Sequence, residues 1–465
     1  MRARSTLAIA SLLLLHVVDS PTSARAQSQT TAPTEQLAQM LAETLEGARA
    51  SAPKQAPASF PLEYRSIDGT DNNLAHRRWG AARTALVRTT TLDYANGVDA
   101  PAGSERPSAR EVSNAVVWQE RSMPNSVDAS DFVWQWGQFL DHDLDLAPTA
   151  SPAESFDVEV PEGDAYFDPN ATGRAVIKLD RSEYRMIHGV REQMNVITAF
   201  IDASNVYGSD PRRARELRTL DGSGRLKTSP GDLLPFNVHG FDNAPDRDPT
   251  LFLAGDVRAN EQVGLTAMHT LFVREHNFWA DTVRSVSPRL SDDEIYETAR
   301  AMVAAEMQAI TYREFLPVIL GRNALSKYRG YDPSVNAGIA NVFATSSYRF
   351  GHSMLSPQLL RLDENNDSIP AGPLSLASAF FNPEEISEHG IEPLLRGLSR
   401  QRAQTVDAFV VDEVRNFLLA RQVPAARPRR AQHPAWARPR LAELQPGARR
   451  LRSAEADQLR ADQPP

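Results

Sequence analysis

The 465-residue chain contains no cysteine. That excludes disulfide staples, thiolate nucleophiles and Cys-ligated metals or clusters. Long apolar runs are missing too. The stretch at residues 7–18 is too short for a bilayer, and no other reaches the roughly 18 residues that a spanning helix needs. Positive charge is not in excess: 50 Lys and Arg against 59 Asp and Glu leave a net charge of -9. This balance argues against nucleic acid or an anionic membrane surface as a partner. There is no repeat at a solenoid period. After Arg421 there is no lysine, and the text is rich in Arg, Pro and Ala.

What is present divides into four stretches. Arg2 and Arg4 precede the apolar run, and Ala24-Arg25-Ala26 offers a small-x-small cleavage site, so residues 1–26 read as an export signal leading to the periplasm or outside. Residues 27–59, rich in Gln, Thr, Ala and Pro, read as a linker. Residues 60–420 carry dense turn chemistry and helical periodicity, and 421–465 form a basic, disordered tail. Helices are expected at 130–144, with Asp128 as a possible cap, and at 265–283, with Leu265, Met268, Phe272, Phe278 and Trp279 on one face. A third opens at the Ser291-to-Glu294 capping sequence and ends near Gly321, and a fourth spans 334–354. Strand alternation is best near 156–160. The fold class is mainly α, as a single large domain with little β.

The segment from Trp134 to Asp145 is the first with chemistry in it. On a helix Gln138 and His142 are i and i+4, with Asp141 beside them, so an amide, an imidazole and a carboxylate face one cavity. By spacing alone this also describes a satisfied core histidine among surface acids. A second segment, Gly255-Asp256-Val257-Arg258-Ala259-Asn260-Glu261, supplies an Arg and a Glu that would be ordinary surface residues elsewhere. In the segment 197–208, Thr198, Phe200, Asp202 and Ser204 alternate. In an extended chain their oxygens converge as hard donors suited to Ca²⁺, although a half-buried strand would look the same.

The wording W-x-W-G-Q-F-L-D-H-D-x-D resembles the distal-helix signature of the animal haem peroxidases. G-D-x-R-x-x-E, F-x-D-A-S-x-V-Y-G and Tyr348-Arg349-Phe350-Gly351-His352 resemble that family's other motifs. The resemblance implies a helical domain with b-type haem between distal and proximal helices. In it His142 is the distal base, Arg258 the catalytic cation and Gln138 a pocket residue. Asp141 and Glu261 esterify the haem, and His352 ligates its iron. Arg349 meets a propionate. Asp143, Thr198, Phe200, Asp202 and Ser204 bind calcium. Gln262 stands where the myeloperoxidases carry a Met linked to haem, so that third link is not expected. The cyclooxygenases have a radical-forming Tyr where Arg349 stands, and a Gln where Arg258 stands, which favours peroxidase. His269 and His276 read as structural.

The chemistry explains the residue types. Peroxide must lose a proton to bind iron and must then shed water, and a neutral imidazole can take and return that proton. A guanidinium stabilises the charge that develops as the O–O bond breaks. The expected substrates are hydrogen peroxide and small donors such as halide, thiocyanate or phenols. The alternatives are a non-catalytic haem- and calcium-binding secreted protein, which would need none of the distal set, or an inactive fragment. Oligomeric state is not legible.

The resemblance runs from about Tyr64 to Leu418 and then stops. Residues 432–446, back-translated and read one base later, give N-I-Q-R-G-R-D-H-G-L-P-S-Y-N, which resembles the family segment whose Asn hydrogen-bonds the proximal His. A frameshift between about Leu419 and Ala431 is therefore expected, with 421–465 out of frame.

Overall fold

The computed structural model describes residues 64–417. The expected leader, the linker and the out-of-frame tail lie outside the described residues, which all belong to one compact unit, Met1–Ala420.

Helix α1, Phe132–Leu144, forms where the sequence placed it, two residues shorter at its start. Asp128 does not cap it. Asp131 takes the cap position without a side-chain cap bond, while Asp128 sits at φ 64 and pairs with Arg402. The inner face of α1 carries Trp134, Trp136, Phe139 and Leu140 into the core. Helix α2, Val263–Val286, runs longer than its periodicity predicted and starts from Gln262, whose side chain accepts from Gly264 N–H. Phe272 stacks on Phe139 with ring centroids 5.1 Å apart, fixing α1 against α2. Phe278, expected on the buried face, is exposed.

Helix α3, Asp292–Ile310, opens with the predicted capping box: Ser291 accepts from Glu294 N–H while the Glu294 carboxylate accepts from Ser291 N–H. It packs along α2 through Trp279 and Met307, both fully buried. Its continuation to Gly321 is broken by a π-helical turn, Thr311–Phe315, before the short helix Leu316–Leu320. That wider turn carries Phe315 to a cavity wall beside α1. Helix α4, Glu392–Arg400, closes the bundle with Leu394, Leu395 and Leu398 inward.

The strands are short: β1 Thr84–Ala85, β2 Val158–Glu159, β3 Val176–Ile177, β4 Tyr184–Ile187, β5 Val190–Asn195, β6 Gln358–Leu359 and β7 Leu374–Ser375. They form three small antiparallel sheets, ordered β1-β5-β4, β2-β3 and β6-β7. Among the described residues no helix is long and apolar enough to cross a membrane.

The expected helix at 334–354 is not continuous. Ile339 O and Asn341 N–H are taken up by Val87, and the Asn336 side chain accepts from Gly338 N–H, so the chain stays non-helical there. A short helix, Asn341–Thr345, follows, and then a 3₁₀ helix, Ser347–Met354. The calcium-loop segment is likewise not an extended strand. It bends through Ala203, at φ 64, into a helical turn, Ser204–Tyr207.

Candidate active site

One cavity of about 370 Å³ gathers seven of the residues singled out in the sequence: Gln138, Asp141, His142, Arg258, Glu261, Arg349 and His352. Three come from α1, two from the loop before α2, and two from the 3₁₀ helix opposite. Tyr348 fastens the two sides by donating its hydroxyl to Gly137 O at 3.1 Å. A larger cavity of about 440 Å³, lined mainly by apolar side chains such as Phe132, Met268 and Leu395, holds none of the seven.

His142 is buried, with Nδ1 3.6 Å from Asp256 Oδ1 and Nε2 3.8 Å from Glu261 Oε2. Burial, reinforced by the Arg258 charge, pushes its pKa well below the ordinary value, so the ring is a neutral base at physiological pH. Arg258 is held by Asp256 through Nε at 2.8 Å and Nη2 at 2.9 Å, and by Asp145 O at 2.9 Å. Burial opposes its charge, but the Asp256 carboxylate outweighs that and keeps the guanidinium charged.

Asp141 and Glu261 are carboxyls of another kind. Asp141 Oδ2 lies 3.7 Å from both Arg258 Nη1 and Arg349 Nη1, while its Oδ1 is buried without a partner. Burial raises its pKa against the pull of both arginines. Glu261, whose pKa burial also raises, accepts from Gln138 Nε2 at 3.0 Å. Gln262 in turn donates to Gln138 and Gln135, forming an amide network that the sequence did not disclose. On the opposite wall His352 is open to solvent. The surrounding protein and Arg349 hold its pKa below the usual value. Among the described residues none hydrogen-bonds its ring.

Asp143, Thr198, Phe200, Asp202 and Ser204 do come together, through a turn rather than an alternating strand. Asp143 accepts from Ser204 Oγ at 2.7 Å and from the N–H groups of Asp202 and Ala203 at 3.1 Å. Thr198 Oγ1 donates to Asp202 Oδ1 at 2.9 Å, and Asp202 N–H meets Phe200 O at 2.9 Å. Both carboxyls are buried, and Asp202 Oδ2 has no partner. Burial and the neighbouring Asp202 raise Asp143 well above the carboxylate range, and burial lifts Asp202 to about 6. Among the described residues no group of three or more His, Cys, Asp or Glu could hold a metal, so any ion here depends on neutral oxygens as well.

His276 is satisfied between Tyr207 OH and Gly224 O, each at 2.9 Å. His269 is buried edge-on against Phe139 with both ring nitrogens unpartnered. The residue that sequence reasoning passed over is Asp256. Its signal was in plain view, inside the segment that supplied Arg258 and Glu261.

A sequence model of the family described as animal haem peroxidase matches residues 64–429. Among curated relatives, a peroxidasin homolog of Mus musculus is 41% identical over 392 residues, which is 73% of this chain and 26% of that protein. Eosinophil peroxidase of Homo sapiens is 38% identical over 413 residues, 78% of this chain and 57% of that one. Peroxidase A from Dictyostelium discoideum superposes with TM-score 0.71 at 31% identity, covering 77% of this chain and 72% of its own. A fatty acid alpha-dioxygenase from Arabidopsis thaliana shares the fold, with TM-score 0.59 at 18% identity over 86% of this chain and 69% of that one. The chain belongs to the animal haem peroxidase family. It spans about a quarter of the length of the peroxidasins it matches.

Proposed function

We propose that this chain is a haem peroxidase, reducing hydrogen peroxide and oxidising a small donor such as a halide, thiocyanate or a phenol. One observation carries the reading: a buried neutral imidazole, a largely buried guanidinium and an amide line the same cavity as a second histidine on an opposing element.

The cavity fits a b-type haem. Two imidazoles face it from different elements, Asp141 keeps an unpartnered buried oxygen at its wall, and Gly137 and Gly351 leave that wall without side chains. His352 would ligate the iron and Arg349 would meet a propionate. Asp141 and Glu261 would form the ester links. Haem bound there supplies the two electrons that cleave the O–O bond. His142 does the proton work. Nε2 takes the first peroxide proton and returns it to the departing oxygen. Arg258 stabilises the negative charge as the bond breaks, and Gln138 orients the peroxide.

Two buried carboxyls 143 and 202, with one oxygen unpartnered and with hydroxyl and carbonyl oxygens around them, suit a single Ca²⁺. The ion would hold residues 198–204 to α1 next to His142. The apolar leader supports export to the periplasm or outside. A non-catalytic haem carrier would have no use for Arg258 or Gln138.

Haem titration of the purified protein tests the assignment. Native protein should take up one haem with the spectrum of histidine-ligated ferric iron, and His352→Ala should lose that spectrum. An unchanged spectrum in His352→Ala would remove His352 from its role.

A further inference from the structure

Asp256 has no part in the proton transfer or the haem links, yet it is the best-connected charge in the site. It is 2% exposed. Its Oδ1 accepts both Arg258 N–H and Arg258 Nε–H at 2.8 Å, and Oδ2 accepts from Nη2 at 2.9 Å. The same Oδ1 lies 3.6 Å from His142 Nδ1.

The backbone ties this carboxylate down from the other side. Asp256 N–H donates to Asn205 O at 2.9 Å, and Asn205 N–H donates to Asp143 Oδ1 at 3.3 Å. Gly255 makes the approach possible, because a Cβ there would come within 2.5 Å of Ser204 O, Tyr207 N and Gly208 N. Any side chain at 255 would push the loop off its seat. The carboxylate is therefore fixed before it meets the guanidinium.

A guanidinium on a flexible stem has several rotamers and their entropy to lose. A fork of two parallel bonds to a carboxylate removes that freedom and sets direction as well as charge. Asp145 O, at 2.9 Å from Nη2, completes the hold. Nη1 is left as the guanidinium nitrogen not committed to Asp256, 3.7 Å from Asp141.

We propose that Asp256 is a positioning residue, acting through Arg258: it holds the guanidinium in the orientation that peroxide cleavage needs. The inference rests on the reading of Arg258 as the cation that stabilises the breaking O–O bond.

The test is a double-mutant cycle on haem-loaded protein, using Asp256→Asn, Arg258→Ala and the pair. Two rates are read at one pH and normalised to haem content: reaction with hydrogen peroxide, and association of cyanide with the ferric form, which involves no turnover. Asp256→Asn should keep its haem and lose about 10- to 100-fold in the peroxide rate, the usual cost of losing an outer partner of a reactive site. In the Arg258→Ala background the same change should cost nothing further, because the residue it acts through is gone. A merely structural role would persist there and lower the cyanide rate and haem content alike.

Asp256→Asn within about twofold of native, or a loss that adds in full to Arg258→Ala, would overturn the proposal. If Arg258→Ala itself costs nothing, the reading of Arg258 falls and this inference falls with it. Should Asp256→Asn fail to load haem, Asp256→Glu replaces it. It keeps the charge but displaces the fork by one methylene, so it should load haem and still react several-fold more slowly. Native peroxide rates in Asp256→Glu would count against the proposal.

Discussion

The Ser204 hydroxyl donates to Asp143 Oδ1 across 2.7 Å, which joins the turn at residues 198–204 to the residue following His142. Whatever holds that turn therefore also holds His142.

Calcium removal should for this reason act on stability and catalysis together. An ion held at 100 times its Kd contributes about 2.7 kcal/mol to the folded state. Treating the haem-loaded protein with a chelator should lower its Tm and its peroxide turnover in parallel. Unchanged melting and turnover after verified metal removal would reject the calcium role.

The haem should become covalently attached. Each ester link from Asp141 or Glu261 to a haem methyl would take one hydrogen from the methyl and one from the carboxyl, with one H₂O₂ reduced to two H₂O. Acid–acetone extraction after peroxide treatment should leave haem with the protein, and Asp141→Ala with Glu261→Ala should release it. Haem that leaves native protein entirely with the solvent would sink the assignment.

Stability should fall as pH rises, through a pair of acids that do not line the site cavity. Burial lifts Glu275 to about 7, and burial together with the neighbouring Glu275 raises Glu306 well above the ordinary value. A carboxyl whose folded pKa is raised binds more protons folded than unfolded. Its contribution is full below the unfolded value of 4.5 and is lost as pH climbs towards the folded one. Glu306→Gln, which can still accept from Trp279 Nε1, should be more stable than native at pH 8 and no more stable at pH 4. A pH-independent difference would contradict this.

The helices and the site were legible to different depths. Periodicity located α1, α2 and α3 because each buries one stripe of large apolar residues, and the Ser291 cap fixed one start outright. It misjudged residues 334–354, where pairing with Val87, distant in sequence, overrides local preference. It misjudged the route of residues 198–204, since alternation suits a strand and a turn through Ala203 equally well. The π-helical turn that carries Phe315 to the cavity had no sequence signal. The seven singled-out residues that line the cavity were found through wording rather than spacing. Asp256 was passed over although it stands two residues before Arg258, and the contact of Gln262 with Gln138 is made only in three dimensions.

His142 tests the central claim most directly. The measurement is the second-order rate of hydrogen peroxide reduction, with a phenolic donor, by native protein and His142→Leu at equal haem content. Removing a general base of this kind should cost on the order of 10² to 10⁴ in rate while haem content and Tm stay close to native. Equal rates in the two proteins would contradict the account, and so would a native protein that binds haem and leaves peroxide untouched.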